Sequence, residues 1–354
     1  MTGTMRVAVY YTNRDVRIEE RPIPRIGPRE ILVKVHASGI CGSDVLEWYR
    51  VPKAPVVLGH EIAAEVAEIG GEVRGWSAGD RVFVSHHVPC GECDHCRAGH
   101  ETVCDTLRTT NFDPGGFAEF VRVPEVNVRH GVYQIPETLT YEEGTFIEPL
   151  ACAIRGQQAA NVRIGHTVLV LGSGIAGLLH VRLARANGAA KVFATDLQDL
   201  RLRAAQASGA DAVWDARGDI AANLRRDGGR LADVVIVCTG ALDAIDEAFQ
   251  CVEPGGTILF FAPSEPGRAV PIPFNDLWRN EITMTSTYGA APRDIRTSIE
   301  LLGSRRVSVA DLVTHRLPLA EAARGFALVA DGRESIKVVL EPHMSAAVSS
   351  AAGR

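Results

Sequence analysis

The chain has 354 residues, 46% hydrophobic and 23% charged, which is ordinary for a globular protein and long enough for two domains with separate cores. Lysine and arginine number 37 against 43 aspartate and glutamate, a formal net charge of −6, and no basic cluster offers a track for nucleic acid or another polyanion. No apolar run approaches the roughly 20 residues of a membrane span, and the opening MTGTMRVAVYYTNRDVR lacks the apolar core of a signal peptide, so the expectation is a cytoplasmic protein with no membrane partner.

In chain order, the first 150 residues are short β-like runs broken by Gly, Pro and Asp: RVAVYY, EILVKVHASGI, EIAAEVAEIG, DRVFVSH and FAEFVRVP. This pattern predicts a small antiparallel barrel. Within it, PCGECDHCRAGHETVC spans residues 89 to 104 and carries Cys90, Cys93, Cys96 and Cys104. A reducing compartment disfavours a disulfide knot, and two-residue spacings suit a tetrahedral ion better than a redox pair, so these four thiolates are expected to hold a structural zinc. They would fill every coordination position, leaving no room for substrate. The histidines around them, His86, His87, His95 and His100, read as residues of solvated turns.

Three further stretches of this half carry metal-capable groups: SGICGSDVLEWY supplies Cys41, VVLGHEIAAEV the adjacent His60 and Glu61, and FIEPLACAIRG Glu148. A lone cysteine or His-Glu pair is more often structural. Together, one thiolate, one imidazole and one carboxylate neutralise a dication and leave a fourth position open, as a catalytic zinc requires. Permanent ligation by Glu148 would add negative charge and weaken the Lewis acid, so Glu148 is expected to bind only part of the time or through water.

From about residue 166 the rhythm becomes apolar strand then helix, repeated: HTVLVLG with GIAGLLHVRLARANGA, KVFATD with LQDLRLRAAQASGA, then ADVVIVCTG, GGTILFFA and EITMTST. The alternation predicts a doubly wound parallel α/β sheet with helices on both faces, and Ala176, Leu179, Leu183 and Ala186 mark the stripe of its first helix expected to face the sheet. In VLVLGSGIAG, Gly172, Gly174 and Gly177 follow a strand and open a helix, with Ile175 at the turn, the context of a pyrophosphate cradle. Asp196 ends the second strand, where a carboxylate accepts from ribose hydroxyls and repels a 2′-phosphate; this favours NAD. Arg201 is expected to cover the adenine, although Arg201 and Arg203 also leave NADP open. After about residue 295 two helices and two strands remain, which could extend this sheet or return to the first domain.

With CGSD, GHE, EPLA and the four-cysteine loop in place, the chain resembles the zinc-dependent medium-chain dehydrogenases along essentially its whole length, and in particular their polyol branch of sorbitol and threonine dehydrogenases. The resemblance implies a GroES-like catalytic domain over 1–153 with a structural-zinc lobe at 86–106, a Rossmann domain over 154–294 and a return segment over 295–345; the tail at 346–354, small and polar, is expected to be flexible. It implies two zinc ions per chain, and NAD-linked, reversible oxidation of a secondary alcohol: hydride leaves the carbinol carbon for C4 of the nicotinamide in an interdomain cleft, and Ser43 relays the hydroxyl proton outward. It also implies a homodimer or homotetramer joined by Rossmann edge strands near TILFFAP and EITMTST.

Substrate identity is less legible. Trp48, Phe112, Tyr288 and Arg293 are candidate pocket residues. Glu47 stands where sorbitol-type relatives tend to carry an aromatic, so a sugar, cyclitol or amino alcohol is as good an expectation as a linear polyol. Three alternatives stay open: a non-catalytic NAD(H)- and zinc-binding protein, a dehydrogenase of the same superfamily acting on a primary alcohol, and a zinc-free enone or quinone reductase, against which Cys41, His60 and Glu61 argue. The sequence does not distinguish Met1 from Met5 as a start.

Overall fold

The computed structural model describes residues 3–345, so the expected tail at 346–354 and Met1 lie outside the described residues. The chain forms two compact units. The first takes the described residues through Pro149, then Ala290–Arg305 and the described residues from Val309 onward; the second takes Leu150–Gly289 with Arg306–Ser308.

The first unit is built on two sheets. A three-stranded antiparallel sheet pairs Thr4–Thr12 with Asp15–Pro22 and Val56–Val57. A seven-stranded sheet runs Val313–Pro318, Lys337–Glu341, Ile31–Gly39, Glu61–Ile69, Arg81–Val84, Val132–Gln134, with Phe120–Val123 also on Ile31–Gly39. The sheets meet where the Ala8 N–H donates to Phe117 C=O at 2.8 Å, and both bury apolar side chains in one core that includes Val7, Val33, Ile62, Phe117 and Phe326. All neighbours in the larger sheet are antiparallel except Val313–Pro318 and Lys337–Glu341. The closing strand Lys337–Glu341 thus lies beside Ile31–Gly39, which answers where the last residues go.

The second unit is a six-stranded parallel sheet in the order Ala212–Asp215, Lys191–Asp196, Thr167–Leu171, Ala232–Val237, Val252–Phe260, Thr283–Ser286. Numbered along the chain that order is 3-2-1-4-5-6, the doubly wound dinucleotide-binding arrangement, with its switch point at the end of Thr167–Leu171. Two expectations are corrected here. Val252–Phe260, which contains TILF, has a strand on each side, so only Thr283–Ser286 of the two expected strands stands at the edge. In helix Ile175–Ala186, Ala176 and Ala186 are half-buried, whereas Leu178, Leu179, His180, Val181, Leu183 and Ala184 are buried. The stripe is wider than a sheet alone requires because helix Ile147–Ala159 also packs there, Gln157 Nε2 donating to His180 C=O at 2.8 Å.

Candidate active site and metal centres

The four-cysteine loop folds into two short turns, Asp94–Arg97 and Asp105–Thr109, around a tiny core of Cys96, Cys104 and Leu107. The cysteines are unbridged. Sulfur separations are 3.5 Å for Cys93–Cys96, 3.6 Å for Cys90–Cys104 and 3.9 Å for Cys90–Cys96. Zinc–sulfur bonds of about 2.3 Å in a tetrahedron set sulfur–sulfur edges of about 3.8 Å, whereas a disulfide needs about 2 Å, so the spacing fits a zinc cage. Backbone N–H groups turn toward the sulfurs, Cys93 N to Cys90 Sγ at 3.3 Å and Cys90 N to Cys104 Sγ at 3.5 Å. Burial pushes both buried thiols up: Cys96 rises to about 12, whereas at Cys104 the N–H groups of Cys90 and Leu107 outweigh burial and bring the thiol down to about 6.

The second donor set comes from the end of one strand and the start of its antiparallel neighbour. Gly39 pairs with Glu61, so the residues that follow Gly39 and precede Glu61 arrive side by side: Cys41, His60 and Glu61 each place a ligand atom within 4.8 Å of the others. Glu148, in the first turn of helix Ile147–Ala159, lies outside that cluster. Cys41 caps the turn Gly42–Val45, its Sγ accepting from Ser43 N at 3.4 Å and its own N–H donating to Asp44 at 3.1 Å.

Asp44, wholly buried, organises this corner: its Oδ1 lies 3.4 Å from His60 Nδ1 and 3.2 Å from Arg50. Burial opposes its charge, yet His60, Arg50 and the Cys41 N–H outweigh burial and hold its carboxyl below the usual range. Burial likewise pulls His60 down, but Asp44 and Cys41 outweigh it and hold His60 well above its ordinary value. A carboxylate on Nδ1 is the usual partner of a metal-bound histidine, and it leaves Nε2 as the nitrogen available to a metal. Arg50 also donates to Ser43, to C=O and to Oγ at 3.0 Å each.

Sequence reasoning missed Asp44 and Arg50, although Asp44 was visible three residues after Cys41 in CGSD. It also misplaced His86. That ring is no solvated turn: it lies 4.9 Å from the His60 ring and 6.4 Å from Phe112, with Nδ1 buried and without a hydrogen-bond partner among the described residues. Burial, reinforced by the neighbouring His87, His60 and Arg50, keeps His86 neutral, well below its ordinary value.

The candidate pocket residues scatter. Trp48 is half-buried beside Tyr49, ring centroids 5.7 Å apart, and Glu47 accepts from Asn13 N at 3.0 Å. Phe112 is 2% exposed and belongs to the first unit's core, so it walls no open surface. Arg293 belongs to the cysteine lobe: it donates to Gly99 C=O at 3.3 Å and pairs with Glu101 at 3.6 Å. Tyr288 is half exposed in the second unit.

In that second unit, the turn after Thr167–Leu171 needs its glycines for two different reasons. Gly172 has φ +91°, a conformation that L side chains rarely adopt, and a Cβ on Gly177 would collide with Gly172 C=O. Gly174 caps helix Ile175–Ala186 in the open, with the Arg201 guanidinium 4.0 Å from where its Cβ would stand. Asp196, 7% exposed, accepts from Ser173 N at 2.8 Å, Leu197 N at 2.8 Å and Gln198 N at 3.0 Å, and Arg201 stands 3.7 Å away. The carboxylate therefore locks the glycine turn to the end of the second strand, with Arg201 Nε buried beside it and unpartnered among the described residues.

Residues 27–137 match the alcohol dehydrogenase GroES-like domain and residues 176–304 the zinc-binding dehydrogenase domain. The chain is 34% identical to a probable D-xylulose reductase A of Aspergillus clavatus over 90% of this chain and 91% of the relative. It is 32% identical to a sorbitol dehydrogenase of Gallus gallus over 96% of this chain and 97% of the relative. The chain belongs to the zinc-dependent medium-chain dehydrogenases. A solved member of this family, a zinc-binding dehydrogenase from Sinorhizobium meliloti 1021 bound to NADP, superposes with a TM-score of 0.86 at 31% identity over 96% of this chain and 100% of that one. As a family member the chain is an oxidoreductase acting on CH–OH groups, with a Rossmann sheet and a GroES-like domain, and its two donor sets fit the zinc that the family name implies. Among the described residues no helix is long and apolar enough to cross a membrane.

Proposed function

We propose that the protein oxidises a secondary hydroxyl of a polyhydroxy or amino alcohol to a ketone, reversibly, with NAD as hydride acceptor, in the cytoplasm. The observation that carries this reading is the gathering of Cys41, His60 and Glu61 within 4.8 Å, a set with one thiolate, one imidazole and one carboxylate and a position to spare. Zinc held there supplies the Lewis acidity that makes a neighbouring hydroxyl acidic. Cys90, Cys93, Cys96 and Cys104 hold a second, structural ion, and Glu148 approaches the first only intermittently.

The chain's own groups do the rest. Asp44 keeps the Nδ1 proton of His60, which leaves Nε2 as the ligand atom. Ser43 Oγ accepts from Arg50, so its own proton is free to be passed on as the substrate's proton arrives; this geometry supports a relay. His86, neutral beside His60, offers a ring nitrogen to a hydroxyl-bearing substrate, and Trp48 remains the candidate wall. For the cofactor, Gly172, Gly174, Ile175 and Gly177 place backbone N–H groups for the pyrophosphate. With three of its roughly four lone-pair positions used by N–H groups, Asp196 has room for one ribose hydroxyl rather than two. Its charge disfavours a 2′-phosphate, which supports NAD, with Arg201 over the adenine. The exposed edge strand Thr283–Ser286, preceded in the chain by helix Phe274–Arg279 with Phe274 75% and Trp278 69% exposed, supports assembly into a homodimer or homotetramer through this edge.

The test is NAD reduction followed across linear polyols, cyclitols, aldoses and amino alcohols, beside metal analysis. Two zinc atoms per chain and turnover of a secondary alcohol are expected, with Cys41→Ser inactive yet folded and still binding NADH. Turnover of primary alcohols alone, or NADH binding with no turnover of any alcohol, would replace this reading with one of its rivals.

A further inference from the structure

Lys337 is a charge in an unusual place. It opens strand Lys337–Glu341 inside the apolar stretch SIKVVLEP, is 0% exposed, and forms an ion pair between its Nζ and Glu61 Oε2. The aromatic ring of Phe146 lies 5.6 Å from the ammonium. Sheet register creates the pair: Lys337–Glu341 and Glu61–Ile69 flank Ile31–Gly39, with Val339 and Glu61 both opposite Gly39. A Cβ on Gly39 would collide with Glu61 Oε2 and with Lys337 Cε and Nζ, so this glycine makes the space in which they meet. An ammonium out of water is retained when paired, and a buried carboxylate oxygen is normally hydrogen-bonded. Glu61 meets that expectation at one oxygen only: Oε1 is buried and has no hydrogen-bond partner among the described residues.

We infer that Lys337 is a positioning residue for the metal at Cys41, His60 and Glu61: it occupies Oε2, presents Oε1 as a single ligand atom, and adds a positive charge against the site. The inference rests on the reading of those three residues as a metal site. A dication with one thiolate, one carboxylate and a neutral imidazole sums to zero, and Lys337 makes the corner +1. A net positive corner is a stronger electrophile and a weaker trap for the ion, so the lysine exchanges metal affinity for polarising power.

The experiment uses the full-length protein with Lys337→Met, Lys337→Gln and Lys337→Arg, reading zinc affinity by competition with a chelator and the visible spectrum after cobalt(II) replaces zinc. In Lys337→Met the freed carboxylate can use both oxygens, so cobalt absorption should weaken as coordination number rises, and zinc should bind at least roughly tenfold tighter. Lys337→Gln keeps a donor to Oε2 without the charge; it should tighten zinc binding with a near wild-type spectrum, and it decides the charge argument if Lys337→Met does not fold. Lys337→Arg should resemble wild type in both readouts. A Met or Gln variant whose zinc affinity stays within twofold of wild type, or falls, overturns the inference. If the wild-type chain binds a single zinc, or its cobalt spectrum is unaffected by Cys41→Ser, the metal-site reading itself fails and takes the inference with it.

Discussion

Asp44 and Asp196 are both buried carboxylates, but they serve different ends. Asp44 spends its oxygens on His60, Arg50 and the Cys41 N–H, orienting a ligand it never replaces. In Asp44→Asn the amide can face His60 with either its oxygen or its NH2 group, and the charge that fixed the ring is gone. Partners of this kind typically contribute 10- to 100-fold in metal affinity or activity, so kcat/KM should fall by about that much while the four-cysteine zinc is retained in metal analysis. Unchanged kinetics would mean that Asp44 serves only to cap the turn Gly42–Val45. Asp196 spends its oxygens on backbone N–H groups and keeps one position for the cofactor. A hydrogen bond to a charged group contributes about 1.5–3 kcal/mol, so Asp196→Ala should raise KM for NAD by roughly tenfold to a hundredfold and narrow the preference over NADP. Equal kinetics with both nucleotides before and after substitution would remove Asp196 from cofactor recognition.

At the scale of elements, the four-cysteine lobe has almost no core of its own beyond Cys96, Cys104 and Leu107, so its metal must act as the core. Cys96→Ser is expected to lower zinc from two atoms per chain to one and to depress the thermal midpoint by several degrees, at roughly 2–4 °C per kcal/mol. Turnover at low temperature should survive, and loss of turnover with full stability would show that the roles of the two metal sites are reversed. This lobe and the glycine turn were legible in the sequence because their partners lie close along the chain: four sulfurs within one loop, three glycines within one strand-to-helix turn. Cys41 with His60 and Glu61 was legible as chemistry, while their meeting depends on the pairing of Gly39 with Glu61. Contacts made only by sheet closure were not legible. Lys337 reaches Glu61 across 276 positions, and Arg293 reaches Gly99 across 194, so a residue read as a pocket wall turns out to brace the lobe. His86 was misread for the opposite reason: two adjacent histidines after a strand look like a wet loop, but the strand Arg81–Val84 leads His86 against His60.

For the molecule as a whole, acid stability should carry the mark of one core histidine in the second unit. His180 is 0% exposed, and burial pushes its ring down to about 3. Its Nε2 has no hydrogen-bond partner among the described residues, while Nδ1 lies 3.3 Å from Gln157 Nε2. The unfolded chain protonates this histidine near 6.5, the folded chain near 3, so between those values the unfolded state binds more protons. Its contribution is therefore complete above about pH 6.5 and is lost as the pH falls toward 3, at up to roughly 1.4 kcal/mol per pH unit. His180→Leu isolates the effect, because Gln157 keeps its bonds to His180 C=O at 2.8 Å and to Asn187 at 3.0 Å when the ring is removed. Hydrogen exchange in strand Thr167–Leu171, measured from pH 8 to pH 5 with correction for the intrinsic rate, should show wild-type protection falling more steeply than that of the variant. The two curves should converge with acid even if the variant is the less stable at pH 8. Parallel curves would mean that water or a local opening solvates His180 in the folded state, and that its ring titrates near its ordinary value.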